Sequence, residues 1–373
     1  MSAPVSPPRV LLLVDSLGVG GTERQAVELL GGLRASGRFD VRPAVIDSGG
    51  AWEPVAVARA GTVLRLDRRG RYDVRPVFRL LAAVRREGIA LIHGVGWMSG
   101  WAGLLAARAA GIPCVCATMF SDPTRRDLQR RLRRWCAKLA DAGVANSAAA
   151  LAAHGLRGHP RAVVIHNGVD MDRFGVRRAP ADPPTIVMLA NFTPYKDHHT
   201  VVEALLLLRR DVPDARLLLI GRDGGTLATT TALIARRGLV DAVRIVTDSI
   251  APEPLLATSH VGVLSSPSEG FSNALLEYMA AGLPVIATAC PGNTEVVRDG
   301  DTGYVVPFGS APALAARCVA LLRDPTRAAA MGRAGRAHAV AHFSRARQVA
   351  AYEALYDALL VGSRRHRRLA SAG

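Results

Sequence analysis

Thirteen short runs of β-branched or leucine-rich residues, each followed by a helical stretch, limit what this 373-residue chain can fold into more than any other feature. The first seven are Val10–Val14, Val41–Ile46, Val63–Leu66, Leu91–His93, Cys114–Ala117, Gly143–Ala145 and Val163–Ile165. They are too short for helices and too continuously apolar for a half-exposed sheet, so they read as parallel strands covered on both faces. Amphipathic stretches such as Glu23–Ala35 and Pro76–Arg86 supply the covering helices. The proline-rich segment "FGVRRAPADPPT", residues 174–185, can be neither helix nor central strand. After it the alternation restarts with strands at Ile186–Ala190, Leu217–Ile220, Val243–Val246, Val261–Leu264, Val285–Ala287 and Gly303–Val305, and helices such as Thr200–Leu208. The expectation is an α/β chain of two doubly wound, Rossmann-like domains facing a central cleft. They cover residues 1–178 and 184–343, and residues 344–373 form a terminal helix and basic tail. In such sheets ligands bind beyond the carboxyl ends of the strands, so the loops there carry the chemistry.

Five cysteines, Cys114, Cys116, Cys136, Cys290 and Cys318, show no Cys-x-x-Cys pair and no zinc-ligand spacing, and read as reduced core residues. The start of the chain lacks the basic segment of a secretory leader. Arg108 interrupts the best candidate for a membrane span, between Gly103 and Phe120. These features predict a cytoplasmic protein. The formal net charge is +16, and with 27 Lys and Arg against 14 Asp and Glu up to Pro180, +13 of it lies in the first half.

Three segments carry chemistry. In "DSLGVGGTERQA", residues 15–26, Gly18, Gly20 and Gly21 allow backbone N–H groups at a helix start to approach a phosphate or a sugar hydroxyl. The spacing is not Gly-x-Gly-x-x-Gly, which disfavours a nicotinamide cofactor. In "LANFTPYKDHHTVVEAL", residues 189–205, Lys196 stands just before a helix, where a cation opposes the dipole unless both face a shared anion such as a diphosphate. In "SSPSEGFSNALLEYMAAGLPVIAT", residues 265–288, Ser272 or Asn273 can cap a helix, and N–H groups near Gly270, Phe271 and Ser272 form an anion cradle. Glu269 and Glu277 beside that cradle suit a ligand that also carries hydroxyls, Glu269 meeting a sugar and Glu277 a ribose. A nucleotide sugar has both parts.

The last of these segments resembles the Glu-x7-Glu signature of the large family of retaining glycosyltransferases with the GT-B fold, of the glycogen-synthase and mannosyltransferase type. The likeness extends, in order, through "GGTERQ" (Gly20–Gln25), "ANSAAA" (Ala145–Ala150), "VIHNGVDMDRF" (Val164–Phe174), "YKDHHTVVEA" and "NTEVVRDGDTGYVVP". The resemblance implies a sugar moved from a nucleotide-sugar donor to a glycan or lipid-linked acceptor, with retention of anomeric configuration and no metal. Lys196 would neutralise the departing diphosphate and Glu269 would bind the transferred sugar with the Gly270, Phe271, Ser272 and Asn273 turn. Glu277 would hold the ribose, while Gly20 and Gly21 would approach the phosphate or acceptor from the first domain. No cofactor is implied beyond the co-substrate, a UDP-sugar in preference to a GDP-sugar. In this fold the first domain receives the acceptor, and the terminal helix crosses back to it.

Two positions depart from the family pattern. Asn191 and Thr193 stand where relatives carry an arginine near the phosphate lysine, which leaves Arg222 as a substitute. Met119 stands where relatives place a histidine after the fifth strand, leaving His93 as the alternative for acceptor activation, or as a satisfied core residue. "TRRDLQRRLRRWCAKLA", residues 124–140, is a basic amphipathic helix, suited either to an anionic membrane surface or to packing its apolar side on its own domain. A nucleotide-sugar epimerase of the same fold and a polyanion- or nucleic-acid-binding protein are the competing readings. The low aromatic content, 5%, argues against nucleic acid.

Overall fold

The computed structural model of the chain describes residues 6–18, 20–70, 72–118, 128–175, 180, 182–247 and 251–370. Two compact units result, the first comprising Met1–Asn167 with Arg345–Gly373 and the second Gly168–Ser344.

In the first unit the order is β1 (Arg9–Ser16), α1 (Gly21–Ser36), β2 (Asp40–Asp47), α2 (Glu53–Ala60), β3 (Leu64–Arg65), α3 (Arg75–Glu87), β4 (Leu91–Val95), α4 (Trp97–Ala110), β5 (Cys114–Thr118), α5 (Leu128–Leu139), β6 (Ala142–Ala145), α6 (Ala148–Ala153) and β7 (Ala162–Val164). The strands form one parallel sheet ordered β3-β2-β1-β4-β5-β6-β7. Alternate residues of β1 serve opposite faces. Leu11 and Leu13 pack under α3, α4 and α5, while Val10, Leu12 and Val14 pack under α1.

The second unit runs β8 (Thr185–Leu189), α7 (His198–Asp211), β9 (Arg216–Ile220), α8 (Leu227–Arg236), β10 (Val243–Val246), α9 (Glu253–Ala257), β11 (Val261–Leu264), α10 (Asn273–Ala280), β12 (Val285–Thr288), α11 (Pro291–Thr294), β13 (Gly303–Val306), α12 (Ala311–Arg323) and α13 (Pro325–Phe343). Its parallel sheet is ordered β10-β9-β8-β11-β12-β13, so strand order reverses between β8 and β11. That reversal opens a crevice at the carboxyl ends of the two strands, where open α/β sheets bind ligands. Tyr278 of α10 fixes this junction from below. Its buried hydroxyl accepts the Leu189 N–H at the end of β8 and donates to Val263 O of β11.

Every strand expected from the sequence is present, each within two residues of its expected ends. The boundary differs from the expected one. It falls between Asn167 and Gly168 because Val169 N–H donates to Phe343 O at 2.8 Å, and Val169 and Phe174 are buried with Leu275 and Leu276 in the core of the second unit. The last helix, α14 (Arg345–Ala370), belongs to the first unit. Its Val349, Tyr352 and Tyr356 are buried in one core with Leu29, Leu30 and Leu33 of α1, and Arg345 pairs with the buried Glu28. The helix also continues through residues 364–368, in the stretch expected from the sequence to be the basic tail.

Candidate active site

Two loops of the second unit meet where its strand order reverses. The loop after β8 ends at Asp197, whose carboxylate caps α7 by accepting Thr200 N–H at 3.1 Å. The other oxygen of the same carboxylate accepts the Ser265 hydroxyl at 2.9 Å, and Asp197 N–H donates to Ser265 O at 3.0 Å. Ser265 directly follows β11, so the two bonds between Asp197 and Ser265 hold the two loops in one register. His198 braces the lysine-bearing loop from behind. Its ring stacks on Phe192 with centroids 4.4 Å apart, and Nδ1 and Nε2 lie 2.7 Å from Lys196 O and 3.3 Å from Ala190 O. Burial lowers the pKa of His198, and the neighbouring Lys196 charge acts in the same direction.

Held this way, Lys196 forms an ion pair with Glu269 of the other loop. The side chains are only partly accessible, 25% and 12%, which strengthens the pairing relative to a surface salt bridge. The Glu269–Gly270 backbone rests on the short α11: a Cβ on Gly292 would lie 2.2 Å from Glu269 O and 2.8 Å from Gly270 O. Because both neighbours are backbone atoms, Gly292→Ala must displace the loop. Thermal unfolding of that variant should show a loss of about 1–3 kcal/mol, with a weakened response to any ligand held by Glu269.

Beyond this turn, Ser272 is the cap of α10, its hydroxyl accepting Leu275 N–H at 3.4 Å, so of the two expected candidates it is Ser272 and not Asn273. Asn273 is the first residue of the helix, and Glu277 lies just over one turn into it with its side chain buried. The Phe271 ring is buried and packs edge-on against Phe343 at 5.4 Å, which leaves only its backbone for a ligand. The structure therefore brings Lys196, Glu269, Gly270, Ser272, Asn273 and Glu277 to one edge of one sheet. Sequence reasoning missed the supports: Ser265, Gly292 and Cys290. Burial raises the Cys290 pKa, and it lies near the charges of Glu269 and Lys196. The Pro-Gly pair at 291–292 was the available signal for the tight packing there. Asn191 has a different task from the arginine of the family pattern. Its side-chain oxygen accepts Arg222 N–H at 3.1 Å, tying the loop after β9 to the lysine loop and bringing Arg222 to its border.

In the first unit, Gly20 caps α1 and Gly21 begins it, without a side-chain cap. Glu23 folds over this turn, since a Cβ on Gly20 would meet Glu23 Oε2 at 2.1 Å. Burial raises the Glu23 pKa, and the Asp15 carboxylate adds to the effect. Asp15, which sequence reasoning passed over, occupies the N-terminus of α4: it accepts N–H groups of Ser99 at 2.7 Å and Trp97 at 3.2 Å. With two carboxylates beside it, the Gly20–Gly21 turn suits hydroxyl groups better than a phosphate.

The reading of His93 as an acceptor or base residue is corrected. The side chain is 0% exposed, shares a 2.7 Å hydrogen bond with Tyr356 through Nδ1, and lies 4.9 Å from the Tyr352 ring. Burial lowers its pKa from 6.5 to about 3, so it has neither access nor basicity for proton exchange with a ligand. Between those two values the unfolded chain takes up a proton that the folded chain does not. Stability should therefore fall by roughly 1.4 kcal/mol per pH unit as pH drops below about 6.5. Urea melts at several pH values should show that slope in the wild type, and a shallower one in His93→Gln. Met119, the other candidate, lies outside the described residues, as do Arg125 and Arg126 of the basic segment.

Two family profiles match consecutive parts of the chain: "Glycosyltransferase Family 4" at residues 19–173 and "Glycosyl transferases group 1" at residues 172–338. A D-inositol 3-phosphate glycosyltransferase of Streptomyces scabiei is 31% identical over 313 residues, covering 74% of this chain and 70% of the relative. A GDP-mannose-dependent alpha-(1-6)-phosphatidylinositol monomannoside mannosyltransferase of Mycolicibacterium smegmatis is 35% identical over 199 residues, 48% of this chain and 52% of the relative. Among solved structures, Anabaena HepE in complex with UDP and glucose superposes with a TM-score of 0.84 at 19% identity, over 94% of this chain and 100% of that one. The likeness to HepE establishes a shared GT-B fold.

Proposed function

The chain belongs to the glycosyl transferases of group 1 and family 4, and on that premise we propose that it moves a hexose from a UDP-sugar to a glycan or lipid-linked acceptor, with retention of configuration and no catalytic metal. The observation that carries this reading is the Lys196–Glu269 pair beside the N-terminus of α10. As the bond between the anomeric carbon and the diphosphate breaks, negative charge gathers on the departing phosphate oxygen. A preorganised ammonium group and helix N–H groups stabilise that charge most in a partly dry site. Arg222, on the border of the same loop, adds positive charge. Glu269, released from Lys196 by the incoming diphosphate, accepts hydrogen bonds from sugar hydroxyls, and Glu277 accepts them from the ribose.

HepE is described in complexes with UDP, with UDP and glucose, and with UDP-glucose, which supports a UDP-sugar donor here. The mycobacterial relative is GDP-mannose-dependent, so a GDP-sugar is the direct competitor. Neither epimerisation nor polyanion binding is favoured by relatives that are named as glycosyltransferases. The test is a thermal-shift panel of UDP-, GDP- and ADP-sugars, in which a donor at 100 times its dissociation constant stabilises by about 2.7 kcal/mol. A shift with one donor, followed by a transfer product whose anomeric configuration matches that donor, is the expected result. No response to any nucleotide sugar would overturn the reading.

A further inference from the structure

The helix layer α3–α4–α5 of the first unit, which packs on one face of the sheet, has an outward surface that its own core does not explain. Tyr72, just before α3, is 87% exposed, Phe78 of α3 67% and Trp135 of α5 57%, and Leu105 of α4 and Leu139 of α5 are exposed as well. In α5 the sequence placed Trp135, Cys136 and Leu139 on one apolar side, suited either to an anionic membrane surface or to the core of its own domain. Instead Cys136 faces the core and Trp135 and Leu139 face away from it. Exposed arginines lie on the same helices: Arg75 and Arg79, which pair with Asp73 and Asp67, flank Phe78 on α3, Arg108 lies on α4, and Arg131 and Arg134 precede Trp135 on α5. The sequence of α5 holds four arginines and a lysine and no acidic residue.

We propose that this face is a docking surface for an anionic lipid bilayer. Charge complementarity selects that occupant. A second copy of the chain would bring the arginines of α4 and α5 against like charges, whereas anionic headgroups neutralise them. Tryptophan, tyrosine and phenylalanine beside the arginines suit the boundary between headgroups and acyl chains, where amphipathic rings settle. No helix among the described residues is long and apolar enough to cross a membrane, so contact through this face would be peripheral.

The test is co-sedimentation of the full-length protein with vesicles of phosphatidylcholine containing 30% phosphatidylglycerol, against pure phosphatidylcholine, at low and high salt. Binding should require the anionic lipid and weaken with salt. Phe78→Ala combined with Trp135→Ala, and separately Arg131→Ala combined with Arg134→Ala, should each reduce vesicle affinity roughly tenfold or more. All these side chains are exposed, so melting temperature and the donor thermal shift should stay at wild-type values, which separates a failure here from a failure of the transferase reading. Wild-type affinity in both double variants would overturn the proposal, as would binding to duplex DNA in place of vesicles. A dimer in solution that the Phe78 and Trp135 substitutions abolish would also overturn it.

Discussion

Lys196→Ala is expected to lower kcat/KM for the donor by about 10²–10³-fold, with most of the loss in kcat. The lysine ammonium is aimed at charge that grows as the sugar–phosphate bond breaks, so its contribution is larger in the transition state than in the ground state. The loop that carries it is set without the ligand: Asp197, Ser265 and His198 hold its backbone, and Glu269 holds the side chain until the diphosphate arrives. The substitution should leave the fold intact, because Asp197, Ser265 and His198 hold the loop without the ion pair. Steady-state kinetics with Lys196→Ala and Lys196→Arg check the point. The arginine variant should recover part of kcat, since it restores the charge but not the compact ammonium geometry. A Lys196→Ala enzyme whose KM alone rises would mean that the lysine binds the donor uniformly and does not assist departure of the diphosphate.

Glu277→Ala is expected to weaken donor affinity by roughly 10–100-fold, the loss of charge-assisted hydrogen bonds to a diol. The side chain is buried on a helix whose other inward residues, Leu275, Leu276, Tyr278 and Met279, are core. Removing it should suppress the stabilisation given by the donor, over and above any change in the stability of the free protein. Isothermal titration separates the two effects. An unchanged dissociation constant in Glu277→Ala would remove this residue from the donor site.

Fold and site were legible to different degrees, for physical reasons. Strand positions were readable because residues buried on both faces leave continuous apolar runs, and Val10–Val14 or Val261–Leu264 have no other reading of comparable strength. Lys196, Glu269 and Glu277 were readable because each breaks a local rule: a cation at a helix start, or acids beside an anion cradle. What holds them was not readable. Ser265 meets Asp197, and Gly292 underlies Glu269, only because β8, β11 and β12 are neighbours in the sheet. Local pattern does not encode that order. The boundary was misplaced for a similar reason: prolines at 180, 183 and 184 signalled a break in regular structure, yet Val169 and Phe174 had already joined the second core. His93 stayed open between acceptor activation and the core because a histidine ending a strand looks the same in sequence whether it faces a crevice or two tyrosines from a helix more than 250 residues away, and the core reading is the one that holds. Trp135 illustrates the opposite case, an apolar residue at helical spacing that the fold turns outward.

The most direct test of the central claim is a crystal structure of the protein with its preferred nucleotide sugar. The account predicts the diphosphate between Lys196 Nζ and the N-terminal N–H groups of α10, with the ribose hydroxyls on Glu277 and the sugar on Glu269. A nucleotide bound away from Lys196, with the Lys196–Glu269 pair still closed, would contradict it.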